Sequence, residues 1–303
     1  MIYTLTISPS LDFINEVKDF SITKINRSSN SFFLPGGKGI NVSLVLKQLE
    51  IQSIASGFKA GFTGEYLEKL LEENNISNDL IEAEGLTRIN TKVIGKQEVA
   101  INTDMLIIKQ NHIEILLLKF KQLNDNDILV ISGNIPSNIS QNLYENIIEN
   151  INKNVKIIVD AESKLLLNTL KYNPFLIKPN RDELSQIFNV NITSINEAIF
   201  YAKELRQMGA QNVIVSLDKD GAILVDSNNH SYIMENVKDE LISSVGAGDS
   251  LIAGFIAGIE KGMDYKNSFI LGIACANATA FSKTLANKSS INKYLLLLKE
   301  INN

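Results

Sequence analysis

From residue 127 onward the chain alternates short apolar runs with stretches of helical period. Asp127-Ile128-Leu129-Val130-Ile131-Ser132 and Val155-Lys156-Ile157-Ile158-Val159-Asp160 read as buried strands, with a helix over 140–151 between them. Phe175-Leu176-Ile177-Lys178 and Asn212-Val213-Ile214-Val215-Ser216-Leu217 continue the series around a helix over 195–208. Continuous apolar strands separated by helices predict a parallel sheet covered on both faces, with ligands outside the carboxyl ends of its strands. The first third differs. A strand over 1–7 precedes a helical block at 39–73, and the segments 8–35 and 87–110 are polar and β-prone without helical period. Those two segments fit either a small sheet projecting from the main body or ordinary edge strands. No repeat or linker interrupts the chain, so one domain over 1–303 with such an appendage is expected.

Composition narrows the classes. The 45% hydrophobic and 21% charged residues argue against disorder. A net charge of −5 without a basic face argues against a nucleic-acid or anionic-membrane partner. The longest apolar run, over 251–259, is too short to span a bilayer, and the first residues carry no signal-peptide pattern. A lone cysteine, Cys275, cannot form an internal disulfide, which points to a reducing cytoplasm. His112 and His230 without a second cysteine support neither a zinc site nor a Ser-His-Asp triad.

Chemistry concentrates in three places. Val245-Gly246-Ala247-Gly248-Asp249-Ser250 precedes an apolar helix, so free N–H groups and the positive end of the helix dipole favour an anion there. A carboxylate at that end repels a phosphate; it makes sense if Asp249 takes a proton from a hydroxyl attacking that phosphate, or if it merely stabilises the helix start. Pro35-Gly36-Gly37-Lys38-Gly39-Ile40-Asn41 opens another helix, with Lys38 and Asn41 sharing a face that suits a polyhydroxylated ligand or belongs to a glycine turn with a solvated lysine. The Walker spacing is missing. Lys178-Pro179-Asn180-Arg181-Asp182-Glu183 follows a strand, and Asn180 with Glu183 fits a capping box, water around Mg²⁺, or both. Asp12, after the first strand, and Arg88 suit sugar hydroxyls and a phosphate, or a turn and a solvated edge charge.

Gly36-Gly37-Lys38-Gly39-Ile40-Asn41, Ser132-Gly133-Asn134-Ile135-Pro136, Lys178-Pro179-Asn180-x-x-Glu183 and Gly246-Ala247-Gly248-Asp249, in this order, resemble the ribokinase-like, or PfkB, carbohydrate kinases. Thr6-x-x-Pro9-x-Leu11-Asp12, Gly61-Phe62-Thr63-Gly64 and Thr87-Arg88-Ile89-Asn90 are most similar to the 1-phosphofructokinase and tagatose-6-phosphate kinase branch. The resemblance implies an α/β fold: a ribokinase-like, three-layer Rossmann-like core with a mainly parallel sheet, plus a small β-sheet lid through which a homodimer forms. It implies ATP and Mg²⁺, and phosphorylation of fructose 1-phosphate to fructose 1,6-bisphosphate; tagatose-6-phosphate kinase and 6-phosphofructokinase are the alternatives. A non-catalytic sugar-phosphate sensor is the rival from another class, and a nucleoside kinase is disfavoured by Lys38 and Arg88.

Carried over, Asp249 is the base, with Gly246, Ala247 and Gly248 as anion hole. Asp12, Gly37, Lys38, Asn41, Arg88, Asn90 and Asn134 match sugar-phosphate positions. Asn180, Glu183, Ser216, Asp218, Gly221 and Asn277 fall where the family holds Mg-ATP, Glu183 reaching the metal through water. Three departures stand out. Asp218 stands where related sequences usually have Gly, Ala161-Glu162-Ser163 replaces a common Gly-ending turn after Asp160, and the second lid segment, Val99-Ala100-Ile101-Asn102-Thr103-Asp104, lacks the family's usual acid and Gly-Pro.

Overall fold

A computed structural model describes residues 1–96 and 98–301; Gln97, inside the second expected lid segment, and Asn302 and Asn303 lie outside the described residues. The first half runs β1 (Ile2–Thr6), β2 (Ser10–Glu16), β3 (Asn30–Gly36), α1 (Lys38–Gln48), β4 (Ser53–Lys59), α2 (Gly61–Glu73), β5 (Ser77–Glu82), β6 (Glu84–Gly85), β7 (Arg88–Ile94), β8 (Glu98–Ile101), β9 (Leu106–Ile107) and α3 (Gln110–Phe120). The second runs β10 (Ile128–Ser132), α4 (Leu143–Asn150), β11 (Lys156–Asp160), α5 (Ser163–Thr169), β12 (Leu176–Ile177), α6 (Arg181–Phe188), α7 (Ile195–Gln207), β13 (Asn212–Ser216), β14 (Ala222–Val225), β15 (Ser231–Met234), α8 (Ala247–Glu260), α9 (Tyr265–Ala280) and α10 (Lys288–Ile301).

Nine strands form the main sheet in the order β15-β14-β13-β12-β11-β10-β1-β4-β5. Pairing is parallel from β13 through β5, and β14 and β15 add antiparallel to one edge. Side-chain alternation splits the core. Leu5, Ile131, Val159 and Val215 pack under α3 to α7, whereas Ile2, Val130, Ile158 and Ile214 pack under α1, α8, α9 and α10. The result is three layers, helix on sheet on helix, as the alternating pattern predicts.

The helical block expected at 39–73 is interrupted by β4. Ser53-Ile54-Ala55-Ser56-Gly57-Phe58-Lys59 has few β-branched residues, which hides the strand from a pattern reading. Its identity comes from packing: Gly57 lies at φ 147°, and a Cβ there would come within 1.9 Å of the Thr6 carbonyl oxygen. Only glycine lets β4 run this close to the end of β1.

A second sheet, β3-β2-β7-β8, projects from the carboxyl edge of the first. It is assembled from the segments 8–35 and 87–110, with β2 antiparallel to β3 and parallel to β7. Leu11, with partly buried Phe33 and Ile89, shares a small cluster with Ile40, Leu67 and Leu71, which seats this lid on α1 and α2. The chain leaves β1 toward β4 on one side and returns to β10 on the other, so the topological switch point opens between β1 and β10, beneath the lid. Among the described residues no helix is long and apolar enough to cross a membrane.

Candidate active site

The lid and the carboxyl edge of the main sheet enclose a cleft of about 1590 Å³. At its floor α8 begins. Gly246 adopts φ 80°, and a Cβ there would lie 2.5 Å from Leu285 Cδ2, so glycine is required to turn into the helix. No side chain caps this start; the Ala247 amide donates to the Ser244 carbonyl at 3.3 Å, and the helix end remains a favourable place for an anion. The helix is anchored from behind: Gly254 packs so close to α9 that a Cβ would meet Gly272 Cα at 2.7 Å.

Asp249, in the first turn of α8, is 5% exposed and accepts a 2.8 Å hydrogen bond from Asn41 Nδ2. Burial pushes its carboxyl up to about 6, and the negative charge of Asp160 adds to the shift; Asn41, Lys38 and Lys178 oppose it. A carboxylate with its pKa near neutrality, held by an amide and facing an uncapped helix start, is equipped to accept a proton beside an anion.

Asp160, the last residue of β11, is buried and lies 3.4 Å from Lys38 Nζ and 3.3 Å from Lys178 Nζ. Burial works against its charge, but Lys178 and Lys38 together hold its carboxyl below the ordinary range. Burial likewise pulls Lys38 down, and Asp160, Asp249 and Glu183 more than compensate, leaving it raised. Lys178 Nζ also stands 3.1 Å from where a Gly248 Cβ would project, at the mouth of the anion site.

The lid supplies the opposite wall. Ser10, Asp12, Arg88, Asn90 and Lys92 recur at every second position of β2 and β7, so they share the face turned to the cleft. Asp12 is fixed by three donors: Ser10 Oγ at 2.8 Å and Asn90 Nδ2 at 3.0 Å on one oxygen, Lys92 Nζ at 2.7 Å on the other. Arg88 donates from Nε to the Ser8 carbonyl at 3.2 Å; burial lowers its pKa against the pull of Asp12 and Asp104.

The residues expected from the sequence to hold the nucleotide gather at the far end. Asn180 and Glu183 form the reciprocal capping box of α6, each bond 2.8 Å, and Asn180 bridges to Ser216. Asp218 lies at φ 51°, the left-handed region, which accounts for glycine being usual there; its carbonyl accepts from Asn236 Nδ2 at 2.7 Å. Gly221 lines the same end. Asn277 also borders the cleft, but its amide is used within the fold, donating to the Ile273 carbonyl at 2.8 Å and accepting from Val237 N at 3.1 Å. Asn134 is not brought to this group: it is exposed and donates to the Glu162 carboxylate.

Asp160, Lys178 and Lys92 were not singled out as site residues from the sequence. The signal available was position, since Asp160 ends a predicted strand, Lys178 directly follows one, and Lys92 keeps the two-residue step from Arg88 and Asn90. Among the described residues no group of three or more His, Cys, Asp or Glu side chains could hold a metal ion. Mg²⁺ commonly binds through one or two carboxylates plus substrate phosphates and water, and Glu183 beside Asn180 fits that sparse requirement.

Known proteins resemble this chain over most of its length. The pfkB family carbohydrate kinase pattern matches residues 7–292. The 1-phosphofructokinase of Bacillus subtilis (strain 168) is 42% identical over 296 residues, covering 97% of each chain. The D-tagatose-1-phosphate kinase of a Bacillus licheniformis strain is 33% identical over 295 residues, again covering 97% of each. The crystal structure of phosphofructokinase-2 from Escherichia coli with substrates and products superposes with a TM-score of 0.93 at 28% identity, covering 98% of this chain and 99% of that one.

Proposed function

The chain belongs to the pfkB family of carbohydrate kinases, and from that premise we propose that it transfers the γ-phosphoryl group of ATP to O6 of fructose 1-phosphate, giving fructose 1,6-bisphosphate. It is a phosphotransferase with an alcohol acceptor and ATP as donor. The observation that carries the acceptor chemistry is the buried Asp249 carboxyl, near neutrality in pKa, at the uncapped start of α8 and tied to Asn41.

In the reaction the O6–Pγ bond forms, the bond from Pγ to the bridging oxygen of ADP breaks, and the O6 proton passes to Asp249. The amides of Gly246, Ala247 and Gly248 hold the transferring phosphoryl, with Lys178 and Lys38 beside it. Asp12, locked by Ser10, Asn90 and Lys92, accepts from sugar hydroxyls. Gly37 and Asn41 border the sugar, and Arg88 takes the phosphate already on it. Asn180, Ser216, Asp218 and Gly221 line the nucleotide, and Glu183 would hold Mg²⁺ through water, where the metal would supply positive charge beside the phosphates.

Two relatives named for ketohexose 1-phosphates, one fructose and one tagatose, favour an acceptor already phosphorylated at C1. Dimerisation through the lid is supported by partly buried Phe32 and Leu34 on β3, paired with Ile14 and Asp12 on the same face, and a cytoplasmic setting by the lone Cys275. Steady-state kcat/KM with Mg-ATP is the test, using fructose 1-phosphate, tagatose 1-phosphate, tagatose 6-phosphate and fructose 6-phosphate. The expected order begins with fructose 1-phosphate. A preference for either 6-phosphate overturns the acceptor, and binding without ADP release from any of them makes the protein a sensor.

A further inference from the structure

Two ammonium groups that converge on one crevice repel each other, and a nearly buried one is also penalised for its charge. Lys38 comes from α1 and Lys178 from the end of β12, and the Lys178 side chain is only 6% exposed. Between them stands one buried carboxylate, Asp160, in ion contact with both. We propose that Asp160 is a positioning residue for phosphoryl transfer, holding the ammonium groups of Lys38 and Lys178 on either side of the phosphoryl path so that both act on it together. The proposal rests on the kinase reading above.

The geometry suits that task better than a plain buried ion pair. At 3.3 and 3.4 Å the contacts are longer than a charge-assisted bond of about 2.7–2.9 Å, so each lysine is oriented while keeping donors for phosphate oxygens. Thr6, Ser132 and Asp160 are paired in register across β1, β10 and β11, and their side chains share the face under α1 and α8. They form a buried polar row at the switch point, and Thr6 Oγ1 and Ser132 Oγ have no hydrogen-bond partner among the described residues. Nothing in that row competes for Asp160, which leaves its carboxylate to the two lysines. The site also balances: one ionised Asp160, one ionised Asp249 and two lysines sum to zero, and a proton arriving on Asp249 leaves one positive charge beside the new phosphate ester.

Asp249 is faced by Lys38 and Asn41 from α1, by Lys178 after β12 and by Asp160 at the end of β11. Tyr144 on α4, whose pKa the Asp160 charge helps to raise, donates to the Gly133 carbonyl and stays neutral across the assay range. Losing the Asp160 charge removes a like charge from Asp249, so the acid limb of kcat/KM moves to lower pH.

The experiment compares wild type, Asp160→Asn, Lys178→Met and the double variant, with folding checked by thermal melts. Expected for Asp160→Asn is a kcat loss of about 10²-fold or more, with either KM moving less than about fivefold. The acid limb shifts downward, and the double variant stays within about tenfold of Lys178→Met. Should Asp160→Asn fail to fold, the double variant against Lys178→Met carries the same comparison. Near-normal kcat, an unmoved acid limb, or losses that multiply in the double variant overturn the positioning role alone. A wild type idle with every sugar phosphate overturns it together with the proposed function.

Discussion

The start of α8 and the inner face of the lid border the same cleft, yet they hold their polar groups in different ways. At α8 the groups are backbone amides and a single carboxyl, on a helix whose residues from Asp249 to Gly258 are buried and locked against α9. On the lid they are long side chains at alternate positions of two strands, half-buried and tied to one another around Asp12. The first arrangement resists displacement and suits a charge that must develop at one fixed point. The second can be re-tuned by changing one side chain without touching the core. On the proposed function, chemistry therefore belongs to the floor and sugar selection to the lid.

That division is most severely tested at Asp249. Asp249→Asn is expected to lower kcat by roughly 10²–10⁴-fold while ATP still binds, read by single-turnover kinetics and nucleotide titration; near-normal turnover breaks the assignment. Next come the lid cations. Arg88→Met should raise KM for the sugar phosphate about 10–100-fold and leave KM for ATP within about threefold. A collapse of kcat at unchanged KM would show that the lid takes part in the chemical step.

A smaller effect concerns proton balance. Activity of the wild type should fall tenfold per pH unit below an acid limb near 6, because the base must be ionised. The same raised pKa means that the folded state is penalised wherever Asp249 is charged. Asp249→Asn should therefore be more stable than wild type at pH 8, by about 1–3 kcal/mol. The gap narrows as pH falls through about 6, where the native carboxyl takes up its proton. Denaturant melts at pH 8 and pH 5 measure it, and a less stable Asn variant at pH 8 would contradict the burial argument. Smallest of all, Asp218→Gly relieves a left-handed residue and should change stability by less than about 1 kcal/mol, with KM for ATP within threefold.

The strands legible in the sequence were those buried on both faces. Apolar runs such as Leu129-Val130-Ile131 leave no other reading, whereas β4, with two Ser and a Gly, and β5, opening Ser-Asn-Asp, owe their place to neighbours. The same holds at the site. Gly246 to Asp249 is one contiguous stretch whose conformation and chemistry are coded together. Asp160 and Lys178 are ordinary residues at the ends of two strands, and their partnership exists only once β11 and β12 lie side by side. Asn277 shows the reverse case: a polar residue in the expected place whose hydrogen bonds serve the loop carrying Asn236 and Val237.

One residue, Gly37, separates β3 from α1, at φ 125° and with its α-carbon face pressed toward the Thr6 methyl. The lid and the helix bearing Lys38 and Asn41 thus turn on a common axle. A displacement of β3 would therefore reach Lys38 and Asn41 directly, and through the Asn41 amide the Asp249 carboxyl.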